Sequence, residues 1–92
     1  MKFRYLASFD RSYRKLDPYA QRAVDAALEG LFRLYERGEK PEGLGLKKLK
    51  SSCWEIRAGL HLRILIALEG DETRFILVGN HDDVRRFLRG VR

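Results

Sequence analysis

Apolar residues recur at helical spacing between Tyr19 and Arg37, and this pattern constrains the fold more than any other part of the sequence. A helix with one apolar face must bury that face against another element. Asp17 is a suitable N-cap, Pro18 fits the first helical position, and Gly38 is a suitable C-cap. We therefore predict a long amphipathic helix over this range. Its apolar face comprises Ala20, Val24, Ala27, Leu28, Leu31, Leu34 and Tyr35.

A different period follows in the second half of the chain. Runs rich in β-branched and apolar residues cover Cys53 to Ala58, Leu60 to Glu69 and Thr73 to Gly79. Gly59 and the pair Gly70-Asp71 separate these runs and favour tight turns. We predict an antiparallel three-stranded meander. In its second strand Leu60, Leu62, Ile64, Ile66 and Leu68 share one face, which we expect to form the core, and His61 and Arg63 lie on the other.

Shorter elements are predicted at both ends. Alternating residues from Lys2 to Ala7 indicate a strand, and Ser8 is a suitable N-cap for a short helix carrying Phe9, Tyr13 and Leu16 on one face. The segment from Glu39 to Gly45 contains Pro41 and two glycines and predicts a loop. Asp82 and Asp83 should begin a last helix. That helix places Val84, Leu88 and Val91 on one stripe, beside Arg85, Arg86, Arg89 and Arg92.

Composition limits the domain organisation and the partners. With 92 residues, 45% of them hydrophobic, the chain can form one core, so we predict a single α+β domain over residues 1–92. A net charge of +6 predicts nucleic acid or an acidic protein as partner, although a basic surface that serves only solubility is an equal alternative. The sequence contains no run of about 18 apolar residues, which a membrane-spanning helix would need. Cys53 is the single cysteine, so no internal disulfide can form. We expect a cytoplasmic protein without membrane association.

Two stretches of the sequence carry a family resemblance. CWEIRAGLHLRILIAL, with Trp54, Gly59 and Arg63, resembles the second and third strands of the RelE/ParE superfamily, the toxins of bacterial type II toxin–antitoxin pairs. VGNHDDVRRFL, with Gly79 and His81, is similar to the last strand of that family and the segment after it. The order of the elements also resembles the family over nearly the whole chain. The resemblance implies a RelE-like α+β fold with an N-terminal strand, a helical hairpin, a three-stranded antiparallel meander and a short C-terminal helix.

The resemblance implies an activity as well. Many members of the family are mRNA endonucleases, or mRNA interferases, that act with the ribosome, inhibit translation and are silenced by a cognate acidic antitoxin. Attack by the RNA's own 2′-hydroxyl needs a base, an acid and cations, and it needs neither a metal nor another cofactor. His81 is the candidate for proton transfer, and Arg63 and Arg57 are candidates for holding the phosphate. Candidate RNA-binding residues are Lys47, Lys48, Lys50, His61, Arg85 and Phe87.

Each of these roles has a simpler alternative. The alternative for His81 is a turn or capping residue, for Arg63 no more than an ion pair with Glu55, and for the lysines a solvated loop. Cys53 is better explained as a packed thiol than as a nucleophile. The chain also departs from the nucleases, with Glu55 where many have a lysine and Arg85 or Phe87 where they have a tyrosine. The chief rival function is inhibition of DNA gyrase, as in the ParE branch, and a third is an inactive RNA-binding or protein-binding module.

Overall fold

A computed structural model describes residues 1–91, and Arg92, which the sequence places beside the last helix, lies outside them. Residues 1–91 form three helices and five strands in a mixed α+β arrangement, so the predicted fold class is confirmed. The elements are β1 (Lys2–Tyr5), α1 (Ala7–Arg14), α2 (Pro18–Arg37), β2 (Lys47–Lys48), β3 (Cys53–Ala58), β4 (Leu62–Glu69), β5 (Glu72–Gly79) and α3 (His81–Arg89).

The five strands form one sheet in the order β1-β5-β4-β3-β2. β1 runs parallel to β5, whereas the other neighbouring strands are antiparallel, and the predicted meander corresponds to β3, β4 and β5. β2 was not predicted. It consists of Lys47 and Lys48, which pair with Glu55 and Trp54 at the edge of the sheet. A two-residue edge strand has too little pattern of its own to be recognised in a sequence.

The sheet is buried on both faces where β4 crosses its centre. Ile64 and Ile66 pack with the apolar residues of α1 and α2, in a core that also includes Leu31 and Phe75. On the opposite face Leu65 lies in a second cluster with Cys53, Ala67, Ile76 and Val84, the last of which belongs to α3. We predicted a core on one face of β4 only. The second face of β4 is apolar because α3 covers it. A strand that is buried on both faces has a continuous run of apolar residues in its sequence instead of an alternating pattern.

The predicted second strand begins two residues too early. Leu60 was expected in the core, but 87% of its surface is exposed. Gly59 has a positive φ of 72°, and the chain is still turning at Leu60 and His61 before β4 starts at Leu62. Both residues therefore belong to the turn, whose geometry replaces the alternation of a strand.

The first helix begins differently from the prediction. α1 starts at Ala7 with Leu6 as N-cap, so β1 ends at Tyr5 and Ser8 is not the cap. Instead the Ser8 hydroxyl donates to the carbonyl of Ile76, and the Ser12 hydroxyl accepts from the N–H of Val78 at 3.0 Å. The two serines thus bind the edge of β5 beyond the point where β1 ends, because those backbone groups have no strand beside them.

The long helix follows the sequence closely. The Asp17 carboxylate accepts from the N–H of Ala20 at 2.7 Å, Pro18 is the first helical residue, and Gly38 ends the helix with a φ of 69°. No helix or strand occurs in the predicted loop, residues 39–45. None of the helices in residues 1–91 has the length and apolar character needed to cross a membrane.

Candidate active site

Arg57 and Arg63 are direct partners across β3 and β4, so their side chains lie on the same face of the sheet. Trp54, Ile56 and Ala58 of β3 pack on the opposite face, against the core beneath α1 and α2. On the other side of β4, Arg63 is registered with Gly79 of β5. The two arginines that the sequence proposed for binding a phosphate are therefore neighbours.

Glu55 joins these arginines on the same face. Its carboxylate lies 3.2 Å from Nε of Arg63, and the exposed fractions are 18% for the Arg63 side chain and 11% for that of Glu55. Nη1 of Arg63 also donates to the carbonyl of Leu62 at 3.2 Å. These contacts use two of the five N–H donors of the guanidinium. The sequence analysis named Glu55 only as a departure from the family, but its alternation with Arg57 along β3 places both on one face.

The loop before β2 holds Arg57 from its other side. The N–H of Arg57 donates to the carbonyl of Leu44 at 2.8 Å. Gly45 has a φ of 62°, and a Cβ atom at this position would come within 2.9 Å of the Cγ atom of Arg57. A residue with a side chain would be strained by the backbone angle and would also push the arginine away. Gly45 therefore lets the loop pass close beneath an exposed Arg57.

The start of α3 determines where His81 lies. The helix begins at His81, one residue before the predicted start, because Asn80 is its N-cap. The Asn80 side chain accepts from the N–H of Asp83 at 2.8 Å, and Asp83 in turn accepts from the N–H of Asn80 at 2.9 Å. His81 is exposed and lies two residues beyond Gly79, the partner of Arg63. It is thus at the same end of the sheet as both arginines.

The structure separates the predicted RNA-binding lysines. Lys47 is the partner of Glu55, on the face of the arginines, whereas Lys48 is the partner of Trp54 and points to the opposite face. Lys50 is near the other end of α3, where its Nζ lies 3.5 Å from the carbonyl of Leu88. Of the two lysines in β2, Lys47 shares the face of Arg63 and Lys48 does not, since successive residues of a strand alternate between faces.

The other candidates are spread over the surface. His61 belongs to the β3–β4 turn and lines a hollow beside the start of α2, so its predicted place on the strand face with Arg63 was wrong. Arg85 lines a hollow with Lys50 and Arg89, whereas Phe87 lines a different one between α1 and α3. Positions on a helix two residues apart point in different directions, which accounts for this division.

The remaining chemical groups are not arranged as a metal or thiol site. In residues 1–91 no group of three or more His, Cys, Asp or Glu side chains is placed to hold a metal ion. Cys53 is buried, and this burial, together with the negative charge of Glu69, raises the pKa of its thiol. A raised pKa reduces the thiolate fraction at neutral pH. The thiol is a packing group within the cluster under α3.

Comparison with solved structures shows which known fold this chain has. A chain of the RelB–RelE antitoxin–toxin complex from Methanococcus jannaschii superimposes with a TM-score of 0.69 and 17% identity, over 91% of this chain and 96% of that one. YafQ from Escherichia coli gives a TM-score of 0.64 and 16% identity over 90% and 96% of the two chains. The protein has the RelE-type toxin fold.

A chain of the RelBE2 toxin–antitoxin complex from Mycobacterium tuberculosis also shares this RelE-type fold, with a TM-score of 0.60 and 23% identity over 87% of this chain and 96% of that one. No protein-family model matches the sequence, and no curated protein sequence matches it either. What this chain shares with these structures is the fold. This likeness confirms the order of elements that the sequence resemblance implied.

Proposed function

We propose that this chain is the toxin of a type II toxin–antitoxin module and that it cleaves mRNA on the ribosome without a metal. One observation carries the proposal: Arg57 and Arg63 stand side by side on a face of the sheet, and His81 begins α3 at the same end. Permanent cations beside an imidazole supply the groups that cleavage by a 2′-hydroxyl requires. The RelE-type fold supports the toxin role.

The roles follow from the chemistry of each side chain. His81 exchanges a proton with the 2′-hydroxyl or the leaving 5′-oxygen, since an imidazole can do either near neutral pH. Arg63 and Arg57 bind the nonbridging oxygens and stabilise the charge that accumulates on phosphorus. Glu55 fixes the Arg63 guanidinium at 3.2 Å and acts as its positioning residue. Lys47, on the same face, holds the RNA backbone.

The proposed inhibitor is an acidic antitoxin. Three of the solved structures with this fold are toxin–antitoxin complexes: RelB with RelE, DinJ with YafQ, and RelBE2. The net charge of +6 would attract an acidic protein at long range. The same charge suits mRNA and the ribosome, so antitoxin and substrate would compete for a basic surface.

Induction of the chain in a bacterial host without the antitoxin tests the toxin class. We expect growth to stop because translation stops, with transcripts cut inside coding regions. Ribosome-bound mRNA should be mapped for new 5′ ends, and the DNA-damage response followed in the same culture. Intact transcripts with an induced damage response would assign the chain to gyrase inhibition, and growth arrest with neither effect would contradict both activities.

Replacement of His81 tests the assigned chemistry. His81→Ala should slow cleavage by about 10² to 10⁴-fold while binding of the ribosome persists, because the lost group acts only in proton transfer. The melting temperature should hardly change, since His81 is exposed. Asp82→Ala is the matched control, as an exposed neighbour in the same helical turn, and it should cleave like the parent. Equal cleavage by His81→Ala would move proton transfer to another residue.

A further inference from the structure

A surface hollow of about 410 Å³ lies between the start of α2 and the β3–β4 turn. Ala58 and Leu62, the last pair of β3 and β4, line it and pack on the side of the sheet that α1 and α2 cover. The hollow is therefore on the opposite side of the sheet from Arg57 and Arg63. We refer to it as the Tyr19 hollow, and its lining includes Lys15, Asp17, Tyr19, Leu60, His61 and Leu62.

Tyr19 lines this hollow from the first turn of α2, and 78% of its surface is exposed. The other three tyrosines of the chain, Tyr5, Tyr13 and Tyr35, stack on other rings or make hydrogen bonds through their hydroxyls. Tyr19 has neither kind of contact within residues 1–91. Its ring is therefore free to contact a ligand.

Two residues of the β3–β4 turn add to the exposed surface of the hollow. His61 is exposed and supplies a second planar ring, and 87% of the surface of Leu60 is exposed beside it. Unpaired RNA bases bind proteins by stacking on aromatic side chains, including those of Tyr and His. The Tyr19 hollow thus contains the type of side chain that holds an unstacked base.

The charges around the hollow favour RNA over a second copy of this chain. Lys15 is an exposed cation of the lining. The carboxylate of Asp17 is already engaged, because it accepts from the N–H of Ala20 as the cap of α2. A lysine beside an aromatic ring can bind the phosphate next to a stacked base. The net charge of +6 attracts RNA and opposes contact between two copies.

The hollow adjoins the proposed nuclease site across the end of the sheet. Arg57 and Arg63 are direct partners, and the turn that carries Leu60 and His61 lies between them in the chain. His61 is two residues before Arg63, so their Cα atoms are at most about 7 Å apart. An RNA strand with one phosphate on the arginines can therefore pass over the turn and place a neighbouring base in the hollow.

We propose that the Tyr19 hollow binds one unpaired nucleobase next to the phosphate that Arg57 and Arg63 hold. The base stacks on Tyr19 and His61, and Lys15 binds the backbone of the same nucleotide. Binding is tolerant of sequence, because every base has a π-face that can stack. The proposal rests on the proposed function in one respect, namely that the RNA is the mRNA to be cleaved.

Two labelled 2′-O-methyl oligomers of about ten nucleotides separate base stacking from backbone binding. One is oligouridylate, and the other has the same backbone with hydrogen in place of every base. Neither has the free 2′-hydroxyl that cleavage requires. By fluorescence anisotropy we expect the parent to bind oligouridylate about tenfold or more tightly than the abasic oligomer. Tyr19→Ala should remove most of this difference and leave the affinity for the abasic oligomer unchanged.

Matched variants identify which property of each side chain matters. Tyr19→Phe keeps the ring and should bind both oligomers like the parent, whereas Tyr19→Leu keeps apolar area without a π-face and should behave like Tyr19→Ala. Lys15→Ala should weaken binding of both oligomers by the same factor. Arg33→Ala, which removes an exposed charge outside the Tyr19 hollow, is its control and should change neither. All of these variants should melt like the parent, since the three positions are exposed.

Several results would overturn the proposal. They are equal binding of the two oligomers by the parent, parent-like binding of both by Tyr19→Ala, and parent-like binding by Tyr19→Leu, which would mean that apolar area and not stacking is used. A parent dimer that Tyr19→Ala converts to a monomer in sedimentation would assign the hollow to a second copy instead. Base binding by a chain that never cleaves mRNA would keep the Tyr19 hollow and contradict the proposed function. Cleavage of mRNA with equal binding of the two oligomers would have the reverse meaning.

Discussion

Glu55 is the charged residue that residues 1–91 bury most completely, with 8% of its surface exposed. Its ion pair with Arg63 is withdrawn from water, unlike the pair between Arg74 and Glu69, whose side chains are 35% and 55% exposed. On the face that we propose binds RNA, an unpaired carboxylate would repel phosphate, but the charge of Glu55 is offset by the arginine at 3.2 Å. The ion pair with Glu55 holds the Arg63 guanidinium in one orientation.

Removal of the Glu55 charge should therefore be costly. Glu55→Gln is expected to lower the free energy of unfolding by about 1–3 kcal/mol, because a largely buried guanidinium loses its charged partner. Glu69→Gln removes the exposed pair and should cost less than about 1 kcal/mol. Urea denaturation of both variants and the parent measures the difference. If the two variants lose the same stability, the Glu55–Arg63 pair behaves as a surface pair.

Tyr13 provides a pH dependence at the residue scale. Its hydroxyl donates to Asp25 at 2.7 Å, and this hydrogen bond, together with burial and the negative charge of Asp25, raises the pKa of the phenol. Because the pKa of the phenol is higher in the folded state, the interaction contributes fully to folding stability below the unfolded pKa of about 10. This contribution is lost as the pH rises through the folded pKa. Stability should thus fall above about pH 10. Tyr13→Phe should make this alkaline fall shallower, as measured by melting temperature, whereas Tyr19→Phe, at an exposed phenol, should not.

At the scale of elements, the junction of β5 and α3 determines where His81 of the candidate active site lies. Gly79 has an ordinary φ, so its backbone angles would accept another residue. A Cβ atom there, however, would lie 2.7 Å from both Cβ and Oδ2 of Asp83. The absence of a side chain lets the capping box of Asn80 and Asp83 close directly over the strand end. This close approach sets the start of α3 and hence the position of His81.

Gly79→Ala tests this junction. We expect a loss of about 1–3 kcal/mol in the free energy of unfolding, because the added methyl group must displace the cap. If the nuclease proposal holds, cleavage should fall as well, since His81 moves with the helix. Gly90→Ala, at the other end of α3, is the control: its Cβ would meet nothing closer than 3.5 Å, and stability should hardly change. Parent-like melting of Gly79→Ala would show that the cap adjusts freely.

At the scale of the whole molecule, the larger of the two buried apolar clusters lies beneath α1 and α2. Leu28 and Ile64 belong to this core with exposures of 9% and 0%. Leu28→Asp or Ile64→Asp would bury a carboxylate without a partner and should cost several kcal/mol, about enough to unfold a domain of this size. Glu29→Asp, at an exposed position beside Leu28, is the control. Circular dichroism of the aspartate variants should show loss of the native transition, and a parent-like melting curve would contradict the assigned core.

The sequence by itself determined the long helix with both its caps, the meander, and the location of Arg57 and Arg63 on one face of neighbouring strands. These features depend on local geometry, because a period of 3.6 or 2 and a residue such as Asp17 or Gly38 act within a few positions. The order of the elements was sufficient to indicate the RelE-type fold, which the solved structures confirm.

The tertiary structure alone decided the rest. In the structure Ser8 binds the edge of β5 instead of capping a helix. Lys47 and Lys48 point to opposite faces of the sheet, and His61 lies in the β3–β4 turn instead of on the face of Arg63. The tertiary structure also placed α3 over Leu65 and thereby gave the sheet a second buried face. Each outcome depends on which segments distant in the sequence come together, and a local period contains no information about such contacts because packing across the sheet determines them.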